Sequence, residues 1–155
     1  MQFLAISSLF AAAALAAPAP QASGTGKEFV TITDFWLRKH NDIIDSVDFK
    51  LQGDAGTFDC LVGETASFPS KGVSCGGPEN GKYTVILIAP KDPSVSDVDL
   101  AIYHQTGQAS GLWNEAPAPA TYCRAGGDGI DDRICSQIPD FYTVTLTPSG
   151  PFENA

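Results

Sequence analysis

The stretch from Tyr122 to Cys135 constrains the fold of this chain most. It carries two cysteines twelve residues apart, together with three glycines and three aspartates. Three glycines within four positions disfavour a helix, because each of them costs roughly 1 kcal/mol relative to alanine. We therefore predict that the stretch is a tight loop closed by its own cysteines, lying between Pro119 and Pro139.

The chain begins with an apolar segment that carries no charged side chain. This segment is too short to span a bilayer, and Ala14-Leu15-Ala16 has the small-x-small pattern that a signal peptidase needs. We predict a signal peptide at 1–17, a flexible leader at 18–27, a β-barrel domain at 28–148 and a tail at 149–155. The protein is therefore expected to be secreted.

Four cysteines in a secreted chain favour two disulfides, and three pairings are possible from the sequence alone. The local pairing joins Cys60 to Cys75 and Cys123 to Cys135, and each closed loop contributes on the order of 3 kcal/mol. Zinc is the alternative use of these cysteines, but no Cys-x-x-Cys pair exists and the two histidines are distant. If both disulfides form, no cysteine remains for a covalent dimer.

Alternating apolar and polar residues predict antiparallel strands. Between Ser46 and Gln52, every second residue is apolar, and Gly53-Asp54-Ala55-Gly56 then makes a turn. Seven or eight short strands separated by turn signals, without a convincing helical period, predict an all-β sandwich or barrel. Further strands are predicted at Glu28–Leu37, Thr57–Leu61, Val73–Cys75, Tyr83–Ala89, Val98–His104, Gly111–Asn114 and Tyr142–Leu146.

Three finer expectations follow from the same patterns. Arg38–Asp42 is predicted to be a charged turn, and the spacing of Ile43, Ile44 and Val47 would suit one helical turn. The continuous apolar run Tyr83–Ala89 predicts a strand that is covered on both faces.

The net charge of −9 restricts the partners of this protein. Such a surface repels nucleic acid and anionic lipid at neutral pH, and it favours cationic partners. The mature chain contains no apolar run long enough to span a membrane. We therefore predict no nucleic-acid partner and no membrane partner.

The catalytic candidates do not form a recognisable set. Ser110 lacks the Gly-x-Ser-x-Gly context of a nucleophile elbow, His40 is expected in the charged turn, and His104 at the rim of a strand. Asp97 and Asp99 are expected on a solvated strand face, so neither has the apolar surroundings that a general acid needs. We therefore predict no enzyme activity, with a weak hydrolase as the remaining alternative.

The run Gly126–Asp131 matches the first six positions of a calcium-binding nonapeptide repeat. However, Arg133 replaces the large aliphatic residue of that repeat, and only one copy is present, whereas the repeat works by stacking several. We predict a tight turn with solvated aspartates, and we expect neither a metal nor a cofactor.

Tyr122, Cys123, Arg124, Ala125, Gly126 and Gly127, with a second cysteine twelve residues after the first, resemble the signature of a fungal secreted family. This family is typified by the major Alternaria allergen. The similarity continues through Ile32–Trp36 and the other cysteines, so it spans nearly the whole mature chain. It implies a compact β-barrel with the disulfides Cys60–Cys75 and Cys123–Cys135.

The resemblance also implies a function. Members of the family trigger defence and hypersensitive cell death in plants, some bind thaumatin-like defence proteins, and the allergen carries a small flavonoid-like ligand. The allergen has an additional cysteine near its mature N-terminus that links two subunits, and Pro18–Val30 contains none. We therefore expect a secreted elicitor that binds a plant extracellular protein and forms no covalent dimer, with a small-molecule carrier as the alternative.

Overall fold

The computed structural model describes residues 26–41 and 43–148, and the regular secondary structure within them is entirely β-strand. The all-β class is therefore confirmed. The predicted signal (1–17) and tail (149–155), and most of the leader (18–27), lie outside the described residues. No helix in the described part of the chain is long and apolar enough to cross a membrane. The strands are β1 (Glu28–His40), β2 (Ile43–Gly53), β3 (Gly56–Val62), β4 (Val73–Ser74), β5 (Tyr83–Ile88), β6 (Asp99–Gly107), β7 (Ser110–Pro117), β8 (Thr121–Ala125), β9 (Asp132–Gln137) and β10 (Tyr142–Leu146).

The long strand β1 lies at the centre of a six-stranded antiparallel sheet. Five of the strands follow the order β3-β2-β1-β9-β8, and the sixth, β10, pairs with β1. One side of β1 pairs with β2, and the other side pairs first with β10 and then with β9. The changeover falls at a bulge where Asp34 has a φ of 56°. The side-chain amide of Gln137 satisfies the backbone there: it accepts from Phe35 N at 3.0 Å and donates to Ile32 O at 3.3 Å.

The second sheet has four antiparallel strands in the order β4-β5-β6-β7. The inward-facing residues of both sheets form one apolar core, because the period-2 pattern of each strand places alternate side chains on the same face. The largest contributors from the two sheets are Phe35, Leu37, Phe49, Leu51, Tyr83, Leu87, Leu100 and Ile102.

The two sheets meet along two narrow seams. At one seam, the backbones of Trp113 and Thr147 exchange two hydrogen bonds of 3.0 and 3.2 Å as an isolated bridge. At the other seam, the Cys60–Cys75 disulfide joins β3 to the residue after β4, and Gly76 N donates to Asp59 O at 2.8 Å. Neither seam is a ladder of hydrogen bonds, so the described strands form two packed sheets and do not close into the predicted barrel.

The structure corrects the expectations on both sides of the turn between β1 and β2. Arg38, Lys39 and His40 belong to β1, because β9 pairs with them from the far end of the chain. Ile43 and Ile44 begin strand β2 and form no helical turn. The charged residues of β1 could not reveal their pairing with β9, because β9 is about ninety residues away in sequence, whereas Ile43 and Ile44 pair with His40 and Lys39 of the adjacent strand.

Two further strand predictions need correction. Tyr122–Ala125 lies in a strand, not in a loop, and the chain turns only after Ala125. Burial alternates along Tyr83–Ile88, so β5 is covered on its inner face only. An all-apolar run does not by itself require two covered faces, because exposed apolar side chains are common on folded proteins.

Candidate interaction surface

The stretch from Thr121 to Gln137 forms a hairpin at one edge of the six-stranded sheet. Strands β8 and β9 pair along their length, and Cys123 lies directly opposite Cys135. These two cysteines form a disulfide with a Cα–Cα distance of 3.9 Å. With Cys60–Cys75, this gives the two predicted disulfides, and no described cysteine is free. The hairpin is therefore fixed covalently just before its turn.

Arg38 of β1 holds the turn of this hairpin from the neighbouring strand. Its Nε and Nη2 donate to the two carboxylate oxygens of Asp132, each at 3.0 Å, and Nη2 also donates to Asp128 Oδ2 at 2.5 Å. Asp128 N donates to Asp132 Oδ2 at 2.9 Å. The hydrogen bonds from Arg38, followed by the one from Asp128 N, lower the pKa of Asp132. We call Arg38, Asp128 and Asp132 the arginine clamp.

The glycines of the turn have different reasons to be glycine. A Cβ at Gly126 would lie 2.2 Å from Asp132 Oδ2, so the carboxylate of the clamp occupies the space of a side chain. Gly127 and Gly129 have φ angles of 108° and 121°, which L side chains rarely adopt. The same turn carries Ile130, which is 96% exposed to solvent.

The outer face of this sheet carries two rows of side chains. Strand register aligns Trp36, Ser136 and Tyr122 in one row, and Arg38, Ile134 and Arg124 in the next. Tyr122 is 71% exposed. Residues of both rows line an open groove of about 620 Å³. Its lining includes Trp36, Arg124 and Ile134 from the rows, together with Gln137 and Ile138.

The predicted calcium-like spacing serves a different cation. Asp128 and Asp132 direct their carboxylates at the Arg38 guanidinium. Asp128 and Asp131 of the run are exposed, whereas Asp132, the next residue, is buried. Among the described residues, the side chains grouped as metal ligands are Asp97, Cys123 and Cys135. The two sulfurs form a disulfide, so they offer no thiolate to a metal.

A second polar cluster lies buried between the two sheets and was missed by the sequence analysis. Glu28 is 2% exposed and accepts from the Tyr83 hydroxyl and from His104 Nδ1, both at 2.5 Å, and from Asp54 N at 2.9 Å. Because a carboxylate only accepts, Nδ1 of His104 carries the proton. The Tyr83 and His104 rings lie 4.3 Å apart. We call Glu28, Tyr83 and His104 the buried triad.

Burial alone would raise the pKa of Glu28, but hydrogen bonds from Tyr83, His104 and Asp54 N lower it below its usual value. Burial and the hydrogen bond to Glu28 raise the pKa of Tyr83. His104 is thus an interior residue and not a rim residue.

Asp99 also differs from expectation. It is 3% exposed and accepts from Lys91 N at 3.1 Å and from Ser96 Oγ at 3.0 Å, so it orders the segment before β6. The sequence gives little indication that Asp99 is buried, because alternating apolar and polar residues in a strand fit either a solvated or a covered acid.

The structure does not assemble the candidate catalytic residues. The side chain of Ser110 contacts Thr106, with 3.3 Å between the hydroxyl oxygens, and the strand register pairs it with Gly107. His104 pairs with Leu112 and is directed at Glu28. His40 lies opposite Asp132 near the end of β1. A hydrolase needs a nucleophile within hydrogen-bond reach of its base, and these three residues do not provide that pair.

Comparison with known proteins relates these features to a family. The family model "Alternaria alternata allergen 1" matches residues 32–135. The chain is 36% identical to effector protein PevD1 of Verticillium dahliae over 163 residues, covering 99% of each chain. It is 30% identical to the major allergen Alt a 1 of Alternaria alternata over 161 residues, covering 95% of this chain and 97% of the allergen.

Solved structures agree at the level of the fold. One crystal structure of Alt a 1 superposes with a TM-score of 0.55 at 23% identity, covering 77% of this chain and 90% of the allergen chain. A second superposes with a TM-score of 0.53 at 21% identity, covering 84% and 94%. The family match over residues 32–135 spans most of β1, all four cysteines and the three residues of the arginine clamp. This chain belongs to the Alternaria alternata allergen 1 family of fungal effector and allergen proteins.

Proposed function

We propose that this protein is a secreted fungal effector that binds a protein of the plant extracellular space and breaks no bond. The observation that carries this proposal is the outer face around the β8–β9 hairpin. There Tyr122 and Ile130 are 71% and 96% exposed, while the Cys123–Cys135 disulfide and the arginine clamp fix their positions. Rigid, exposed apolar side chains are typical of binding surfaces, because little ordering entropy is lost when they are buried.

The charge of the protein favours a basic partner. With a net charge of −9, long-range attraction would accelerate encounter with a cationic protein, and added salt would weaken that attraction. Thaumatin-like defence proteins, which the family resemblance names, are the first candidates to test in the host apoplast. The relative named an effector protein supports this class of function.

The test is infiltration of the purified protein into leaves, with cell death and the oxidative burst as readouts. The double variant Tyr122→Ser with Ile130→Ser should weaken the response, because it removes two exposed apolar side chains from this face. Val95→Ser is the matched control, since Val95 is 59% exposed and lies outside the hairpin. Equal responses from the two variants would contradict the assigned surface, and a silent wild-type protein would contradict the function.

A binding mechanism also predicts that catalytic candidates are dispensable. Changing His40 and Ser110 together to alanine should leave the leaf response intact, whereas an enzyme that used them would lose it. His104 is omitted from this test because its contact with Glu28 makes any substitution a stability change.

A second function is favoured by the groove on the same face. Its volume of about 620 Å³ lies within the range of small-ligand sites, and Trp36 and Arg124 would offer a planar aromatic molecule a ring and a cation. We propose a flavonoid-like ligand and quercetin as the probe. Quercetin should quench tryptophan fluorescence in the wild type and in Trp113→Phe but not in Trp36→Phe. Quenching that persists in Trp36→Phe would place the ligand elsewhere.

A further inference from the structure

Strand β8 is an open edge of the six-stranded sheet. The opposite edge strand, β3, is covered by the disulfide to Cys75 and by the hydrogen bond from Gly76 N to Asp59 O. In the other sheet, β7 is joined to Thr147 by the isolated bridge. Within residues 26–41 and 43–148, no strand pairs with the outer side of β8.

The hydrogen bonds at the two ends of β8 show which of its backbone groups point outward. Gly126 N donates to Asp132 O at 2.9 Å, and Ile138 N donates to Ala120 O at 2.9 Å. Antiparallel pairs alternate between bonded and non-bonded residues, so the even-numbered residues of β8 bond to β9. The N–H and C=O groups of Thr121, Cys123 and Ala125 therefore point away from the sheet, and none has a partner among the described residues.

This edge lacks three of the devices by which natural sheets prevent unwanted pairing. Such edges usually carry a lysine, a proline or a bulge. Strand β8 reads Thr-Tyr-Cys-Arg-Ala, and its register with β9 is regular from Thr121 to Ala125. The disulfide and the arginine clamp fix its position, so an incoming strand would meet an edge that is already ordered.

The side chains of β8 indicate what kind of strand would fit. Tyr122 and Arg124 are exposed and lie on the same outer face, because they are two residues apart. Arg124 makes no ion pair with any described residue, although the protein carries a net charge of −9. An added antiparallel strand would therefore be stabilised by a carboxylate opposite Arg124 and by a β-branched or aromatic side chain opposite Tyr122.

We infer that β8 accepts an extended segment of a partner protein as an additional antiparallel strand, and that this segment carries an acidic residue two positions before an apolar one. This inference rests on the proposed binding function and names its contact. Backbone hydrogen bonds to Thr121, Cys123 and Ala125 provide attachment, and the pair of side chains on the outer face provides selectivity.

The probe is the blocked peptide acetyl-Thr-Glu-Thr-Val-Thr-amide, titrated to millimolar concentration into ¹⁵N-labelled protein. Saturable amide shifts should concentrate at Thr121, Cys123 and Ala125. The matched peptide with lysine in place of glutamate should bind at least roughly threefold more weakly, because its charge repels Arg124. Shifts centred elsewhere, or no saturable shifts, would overturn the inference. So would β8 shifts that depend on protein concentration alone, since these would show a second copy on the edge.

Three variants separate edge pairing from other effects. Ala125→Pro removes only an outward-pointing N–H, so it should abolish peptide binding while the other amide signals stay in place. Arg124→Glu should reverse the preference in favour of the lysine peptide. Lys71→Glu makes the same charge change at an exposed residue before β4, and it should leave the preference unchanged. If both charge variants lose the preference for the glutamate peptide, the net charge of the protein explains that preference and the inference is overturned.

The leaf assay distinguishes this inference from the proposed function. Ala125→Pro should lose the response of the wild-type protein. If this variant keeps the full response, β8 is not the contact, although the effector function stands. A wild-type protein that binds the peptide but elicits no response would retain the edge site and refute the effector function.

Discussion

The buried triad and the arginine clamp use the same chemistry with partners in different surroundings. In each, one buried carboxylate accepts three hydrogen bonds: Glu28 from Tyr83, His104 and a backbone amide, and Asp132 twice from Arg38 and once from a backbone amide. The triad joins the two sheets from inside, and all three of its side chains are buried. The clamp lies nearer the surface, where the Arg38 and Asp128 side chains are 31% and 74% exposed.

This difference in surroundings separates what stabilises the fold from what shapes its surface. A carboxylate that loses a partner in the interior cannot recover the bond from water, so the triad should control global stability. Water competes for the partly exposed Arg38 and the exposed Asp128 of the clamp, so the clamp should mainly order the turn between β8 and β9.

Glu28→Gln should lower the free energy of unfolding by about 3 kcal/mol, because the amide cannot accept all the hydrogen bonds that the carboxylate accepts. Urea denaturation monitored by tryptophan fluorescence measures this change. Glu79→Gln is the matched control, since Glu79 is exposed, and it should leave the midpoint unchanged. Equal midpoints for the two variants would remove the distinction between triad and clamp.

Lowering the pH should reduce the contribution of both clusters to the free energy of unfolding. The pKa values of Glu28 and Asp132 are lowered from the usual 4.5 and 3.8, so both carboxylates bind fewer protons in the folded state than in the unfolded state. Their contribution to stability is full above these usual values and is lost as the pH falls through the lower, folded ones. Urea midpoints between pH 7 and pH 2.5 should therefore fall chiefly below about pH 4.5.

The acid dependence also sharpens the comparison between the clusters. In Glu28→Gln, the fall below this pH should be smaller than in the wild type, because one of the two linked carboxylates is gone. A midpoint that already declines steeply between pH 7 and pH 5.5 would assign control to a different group.

Gly126→Ala should disturb the turn while leaving the core intact, because its Cβ would lie 2.2 Å from Asp132 Oδ2 and displace the carboxylate from Arg38. Hydrogen exchange should accelerate at residues 126–132 and remain unchanged in β5 and β6. Gly63→Ala is the control, because a Cβ there meets nothing within 4 Å. Exchange that accelerates throughout both sheets would show that the clamp supports global stability.

Ile130→Ser should have the smallest effect on stability, within about 0.5 kcal/mol, because Ile130 is 96% exposed. Thermal melting measures this. A loss of leaf response without a change in melting would identify Ile130 as a recognition residue. A marked drop in the melting temperature would instead reveal a structural contact for its side chain.

Local patterns in the sequence predicted much of the fold. Alternation across Ser46–Gln52 predicted β2, the Gly53–Gly56 turn leads into β3, and Tyr142–Leu146 is β10 as predicted. Each of these features depends on residues close together in the chain. The family signature around Cys123 lies in the β8–β9 hairpin at the edge of the six-stranded sheet.

The errors at Arg38 and His104 share one physical cause, which is contact between residues distant in sequence. Arg38 was predicted to lie in a charged turn, but it donates to Asp132 of β9. His104 was predicted to lie at the rim of a strand, but it contacts Glu28 of β1. Polar side chains have the same local pattern whether their partner is water or a buried acid. Only the arrangement of the strands decides between the two.

The all-β class, the family, two disulfides and the glycine-rich turn could be predicted from the chain alone, because strand period, turn chemistry and cysteine number are local properties. Three features follow only from the fold: Glu28 and His104 meet between the sheets, Asp132 binds Arg38, and no other described strand pairs with the outer side of β8. These outcomes depend on which strands become neighbours. That choice is made by the packing of the whole core, and no single segment encodes it.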